Sequence, residues 1–237
     1  MRTNPLLRRL FFALFIFTLA ALPLWAQGEA KPEGGSFLGK LTWQIKGSIF
    51  FFPEDNGKYS DPMKVLPSLG AGASYPLTEK LRLEMTMDFY TTHYGYSSIL
   101  GRAVPDAIEN RTARVLGFVL GFHAARYFDL TSLMTLRAYG GPAIDMRIVF
   151  LAEGLDEGLP DIEDIRKDVD EVRSYFWSKG RWFLPVVGAG LDFAINPRFK
   201  LGIDMRIWIP IYRIWSGENL PAIEGWRFGP GITLTIR

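Results

Sequence analysis

The 237-residue chain has room for one domain or at most two, and it carries no cysteine. That excludes disulfides, thiol nucleophiles, cysteine-ligated metals and a lipidated cysteine anchor. Its 27 Lys and Arg nearly balance its 25 Asp and Glu, so no basic field points to nucleic acid.

At the N-terminus, Arg2, Arg8 and Arg9 frame the start of an apolar run from Leu10 to Leu22, and Pro23 ends it before Leu24-Trp25-Ala26. A basic start, a short apolar stretch and a small residue before the cut mark an export signal. The run is too short to span a bilayer comfortably. Residues 1–26 are therefore expected to be a signal peptide. Residues 27–36, polar and rich in Gly, Lys and Glu, are expected to be a flexible periplasmic lead-in to one domain over 37–237.

That domain alternates with period two, which sorts side chains onto the two faces of strands. The first strand sets Leu41, Trp43, Ile45, Ile49 and Phe51 against Thr42, Gln44, Lys46 and Ser48. The second, about Val65 to Leu77, sets Val65, Leu69, Ala71 and Ala73 against Ser68, Gly70, Gly72 and Ser74. After a turn at Thr78-Glu79-Lys80, the third sets Leu81, Leu83, Met85, Met87 and Phe89 against Arg82, Glu84, Thr86 and Asp88. The fourth, about Thr112 to Ala124, sets Leu116, Phe118, Leu120 and Phe122 against Gly117, Gly121 and His123, and a short link through Tyr127-Phe128-Asp129 follows. The fifth runs from Met134 to Ile148 with Thr135, Arg137, Tyr139, Asp145 and Arg147 on the polar face. The sixth sets Phe183, Val187, Leu191 and Phe193 against Gly188, Gly190 and Asp192, and Asn196-Pro197-Arg198 turns the chain. The seventh sets Leu201 through Ile211 against Lys200, Asp204, Arg206 and Trp208. The last sets Trp226, Phe228, Ile232, Leu234 and Ile236 against Arg227, Gly229, Gly231, Thr233 and Thr235.

Short connections near Thr78, Arg126 and Pro197 alternate with long ones at about 53–64, 92–110, 151–180 and 213–224. Transmembrane barrels have this asymmetry, with short periplasmic turns and long outer loops. A soluble barrel would share the alternation but turn its apolar face inward. Here the polar face mixes both signs of charge with many glycines, as a crowded narrow lumen requires. The other face is almost purely apolar, as hydrocarbon demands. Aromatics gather near strand ends, with Phe51, Phe89, Trp182, Phe183, Tyr212 and Trp226 toward the loops and Tyr75, Tyr127, Phe128 and Phe199 toward the turns. The expected fold is all-β: an eight-stranded antiparallel up-and-down transmembrane β-barrel with a short helix in the third extracellular loop.

This pattern resembles the small bacterial outer-membrane barrels of the OmpA-transmembrane-domain, OmpX and OmpW types, by architecture and not by a motif. The resemblance implies location in the bacterial outer membrane, contact with its lipid, and assembly by the barrel-insertion machinery. It also implies a structural envelope role or, by likeness to the OmpW type, a narrow conduit for a small or hydrophobic solute. Many such barrels end in an aromatic residue, whereas this chain ends Leu234-Thr235-Ile236-Arg237.

The polar face yields a lumen charge network of Lys46, Arg82, Glu84, Asp88, Arg137, Asp145, Arg147, Asp192, Asp204, Arg206 and Arg227. Eight strands leave an interior that side chains just fill, so ion pairs that plug it stand against an open conduit. In the third loop, Asp161 follows Pro160 as an N-cap, and Ile162, Ile165, Val169 and Val172 recur at helical spacing beside a densely charged face. That helix reads as a cover over the barrel mouth or as a lid or partner surface. The alternative function is an adhesin-like module that binds an extracellular ligand with its loops. A third is a lipid-modifying enzyme using His93 with Ser97, Ser98 and Asp106, although the close His-x-Ser spacing of lipid A deacylases is absent. No catalytic residue, metal site or cofactor is assigned.

Overall fold

The computed structural model describes residues 38–53, 64–105, 113–151, 162–217 and 225–236. The expected signal peptide, the lead-in, the Asp161 cap and Asp106 lie outside them. Ten strands carry the fold: β1 (Thr42–Phe52), β2 (Lys64–Pro76), β3 (Leu81–Ser97), β4 (Arg102–Pro105), β5 (Ala113–Asp129), β6 (Met134–Gly141), β7 (Ala143–Leu151), β8 (Val186–Ala194), β9 (Phe199–Trp208) and β10 (Arg227–Ile236). Helix α1 spans Ile162–Trp177 and the short α2 spans Arg213–Ser216.

Neighbours pair antiparallel all the way round. β1 joins β10 from Trp43↔Ile236 to Phe51↔Phe228, and β3 joins β5 from Leu81↔Arg126 to Tyr94↔Ala113. The ladder thus returns on itself as a closed eight-stranded barrel, with β6 and β7 serving as one interrupted strand along β5. Closure matters because a free edge would leave backbone N–H and C=O groups without partners in hydrocarbon.

All three tight turns at one end use the same chemistry. Thr78 Oγ1 accepts from the N–H of Leu81 at 3.0 Å, Thr131 Oγ1 from that of Met134 at 3.0 Å, and Asn196 Oδ1 from that of Phe199 at 2.9 Å. A short polar side chain closing a bond to the backbone three residues on stabilises each turn locally. The second of these turns corrects the expected link at Tyr127–Asp129: β5 runs on to Asp129, and the chain reverses at Leu130–Leu133. The alternation continues through Ala125, Tyr127 and Phe128, so nothing there favours a reversal.

Three further boundaries differ from expectation. The fifth expected strand is broken at Pro142, which has no N–H to donate to the ladder. β3 continues to Ser97 and folds back as β4, so half of the expected second loop is a hairpin. The seventh strand stops at Trp208, and Ile211 lies beyond it.

The apolar face points outward: Ile203, Ile232 and Leu69 are 54%, 57% and 72% exposed. The polar face points inward, where Lys46, Arg137 and Arg206 are each about 1% exposed. Outward-facing aromatics include Trp43, Phe128, Phe193 and Phe199 toward the turns and the Trp182–Phe183 and Trp226–Phe228 pairs toward the loops. Two residues of the expected girdles turn inward instead: Tyr212 is buried, and Tyr127 hydrogen-bonds in the lumen. An apolar wall around a charged interior is inside-out for a soluble protein and correct for a bilayer. The chain is a transmembrane barrel of the outer-membrane type, and the bacterial outer membrane is its location. Among the described residues no helix is long and apolar enough to cross a membrane, so the strands alone make the crossing.

Helix α1 lies in the mouth at the loop end. Val169, Val172 and Phe176 are buried against Tyr94, Ala103, Ala113, Val115 and Val149 of the upper wall. The side chains of Ile162 and Ile165 lie outside the described residues. Arg181 caps the end of the helix, donating from Nη1 to the carbonyl of Tyr175 at 2.9 Å.

Placing a cation on the outer wall tests the orientation. Ile203→Arg should destabilise the barrel by about 2–4 kcal/mol in lipid bilayers. Urea unfolding from vesicles measures this; a change near zero would mean that the face is wetted.

Candidate functional site

The lumen holds the candidate site. Near the periplasmic turns, Glu84 accepts from Arg137 Nη1 at 3.3 Å and from the Tyr127 hydroxyl. Arg82, half-buried beside this group, donates to Ser74 Oγ at 3.2 Å and stands 5.7 Å from the Tyr127 ring. At mid-height, Arg206 Nη1 binds Asp88 Oδ2 at 2.6 Å, and its Nη2 donates to Ser48 Oγ. Asp204 lies 3.5 Å from Arg206 Nε and accepts from the Tyr139 hydroxyl at 2.6 Å. Lys46 sits 5.9 Å from the Tyr139 ring, and Asp192 is buried over Gly202. Toward the mouth, Asp145 Oδ2 takes both Arg147 Nε and Arg227 Nη2, while Tyr90 donates to Oδ1 at 3.0 Å.

These contacts link strands far apart in sequence. Arg206 on β9 reaches Asp88 on β3, and Arg227 on β10 reaches Asp145 on β7. A buried charge without such a partner would be costly, so the pairs fix how the wall closes. Lys46 Nζ and both ring nitrogens of His123 are buried with no protein partner among the described residues. Groups of that kind are usually satisfied by ordered water.

Between the mid-height group and the upper one lies an aromatic layer that the polarity of the inward face does not announce. Phe50 meets Trp208 at 5.0 Å and Tyr90 at 5.7 Å between ring centroids, and Phe52 meets Tyr90 at 5.6 Å. Leu66, Val119, Leu184 and Val186 pack with them. Arginines cover both sides: Arg206 stands 5.0 Å from the Trp208 ring and Arg227 4.8 Å from Phe52. The signal was available as parity, since Phe50 and Phe52 continue the face of Lys46 and Ser48. Glycines make room for the rings: a Cβ at Gly117 would overlap Tyr90, and one at Gly229 would overlap Trp208.

The wall has seams. The β1–β10 register skips from Ser48↔Gly231 to Phe51↔Phe228. Pro230 stands opposite Ile49 there, and without an N–H it cannot bond the Ile49 carbonyl. The β2–β3 ladder stops at Leu69↔Phe89, and Pro67 lies just above. Outside the Pro230 seam runs a groove of about 840 Å³, lined by lipid-facing Ile49, Ile203 and Ile232 and also by lumen-facing Ser48, Ser68 and Asp204.

His93 and Ser97 fall on β3 itself, four residues apart, which separates them by roughly 13 Å along a strand. Ser97 Oγ instead accepts from the N–H of Leu100 in the hairpin turn. Among the described residues no group of three His, Asp or Glu could hold a metal ion.

The ion pairs make a prediction. Arg206→Met leaves Asp88 buried without its cation and should cost about 3–5 kcal/mol. Adding Asp88→Leu should recover most of that loss. Urea unfolding of both variants decides; additive losses would mean the pair is not coupled.

No protein-family model matches the chain, and no curated protein does. Solved structures do. The chain is similar to Neisserial surface protein A at 14% identity, covering 86% of this chain and 99% of that one, with a TM-score of 0.47. It is similar to the outer membrane protein OprG from Pseudomonas aeruginosa at 10% identity, covering 84% and 96%, with a TM-score of 0.48. It is also similar to Ail, the attachment invasion locus protein of Yersinia pestis, solved in complex with the heparin analogue sucrose octasulfate, at 9% identity, covering 83% and 96%, with a TM-score of 0.42.

Proposed function

We propose that this chain is a structural outer-membrane barrel, closed to ions along its axis, that anchors an extracellular cap for surface contact. One observation carries the reading. The axis is blocked by the Phe50, Phe52, Tyr90 and Trp208 layer and again by α1 seated in the mouth. A conducting lumen would need a continuous wet path, which buried aromatic rings do not provide. The cap consists of α1 and the β3–β4 hairpin, whose tip exposes Ile99. Assembly runs through the barrel-insertion machinery, and the cap is the surface offered to an extracellular ligand.

A second reading has its own support. The Pro230 seam and the groove that joins lipid-facing and lumen-facing residues favour sideways passage of a small hydrophobic solute between interior and bilayer. That route would bypass the axial block and need no ion path.

Planar-bilayer conductance of the refolded mature chain tests the first reading. The folded protein should be silent, and reproducible single-channel steps would overturn the closed-axis reading. For the second, Pro230→Ala restores a ladder donor. It should slow entry of an apolar fluorescent probe into loaded vesicles several-fold, and an unchanged rate removes the seam from consideration.

A further inference from the structure

A small cavity of about 20 Å³ sits between the aromatic layer and α1. Three guanidinium groups border it: Arg147 from β7, Arg181 from the turn after α1, and Arg227 from β10. Each has a face against an aromatic ring. Arg181 lies 3.8 Å from Tyr175, Arg147 4.1 Å from Phe176 and Arg227 4.8 Å from Phe52. Stacking occupies the faces of these planar cations and leaves their in-plane N–H groups as the donors.

The charges around the cavity do not balance. Arg147 and Arg227 share one oxygen of a single carboxylate, Asp145 Oδ2. Among the described residues no acidic side chain lines the cavity. Arg227 is 2% exposed, and its Nη1 has no partner among the described residues. A buried cation with an open donor beside a cavity is a site for an anion, since pairing offsets its desolvation. The volume admits one particle about the size of a water molecule, which excludes phosphate and sulfate.

We propose that this cavity binds one halide-sized monovalent anion, chloride under ordinary conditions, held by Arg147, Arg181 and Arg227. The anion joins the barrel wall to the segment that follows α1, so it fastens the cap to the barrel. Because it binds only the folded arrangement, it stabilises the protein by mass action.

Two measurements on the full mature chain test this. Crystals grown with bromide should show one anomalous peak bounded by the three guanidinium groups. In detergent, replacing gluconate by chloride at constant ionic strength should raise the unfolding midpoint saturably, by about 5 °C. The Arg227→Gln variant should lose that dependence. Water, or a carboxylate of the chain itself, in the cavity would overturn the proposal. So would a midpoint that ignores chloride, or an equal chloride effect in the variant. The bromide experiment needs no variant, so it decides even if Arg227→Gln fails to fold.

Discussion

Backbone hydrogen bonding in a medium without water is the constraint on which everything else here depends. Each peptide group inside hydrocarbon must find a partner within the protein, and strands can satisfy this only by closing into a ring. The pairing of β1 with β10 achieves that closure. Once the ring is closed, alternation does the rest, because every second side chain must face lipid and every other must face the lumen. The same rule that puts Ile203 and Ile232 outside puts Arg206 and Arg227 inside.

An interior made this way has to be filled. Ten charged side chains from the inward face are buried, and they are accommodated because opposite signs meet across the barrel. Aromatic rings take the space above mid-height, and glycines on neighbouring strands give those rings room. Charges and rings alternate in layers along the axis, with Arg206 and Arg227 contacting the rings from either side. This layering couples the polar groups to the apolar plug, so neither part of the filling is independent.

Prolines mark where the ring is weakest. Pro67, Pro142 and Pro230 each lie where a ladder is interrupted or stops, and each lacks the N–H that would continue it. The interruption at Pro230 coincides with the outer groove, which gives it a consequence beyond local strain. The upper wall is also where α1 enters the mouth between β7 and β8. There, regular pairing of β7 gives way to a bridge between Ile144 and Phe183.

Strand number, membrane-facing side and the membership of the lumen were determined by the sequence alone. Each follows from period-two alternation, a local property that survives without knowing which strands touch. Glu84, Asp88 and Thr86 must share a face whatever β3 pairs with. The turns were legible at Thr78 and Asn196, where the side-chain chemistry is distinctive, and missed at Thr131 because alternation ran through the expected link. Only the tertiary structure decided which charges meet, since Arg206 and Asp88 are 118 residues apart and their contact depends on register across the closed ring. It also decided that Phe50, Phe52 and Trp208 converge into one layer and that three arginines converge on one cavity. The physical reason is that alternation assigns a residue to a face but not to a height, and height comes from strand stagger around the barrel.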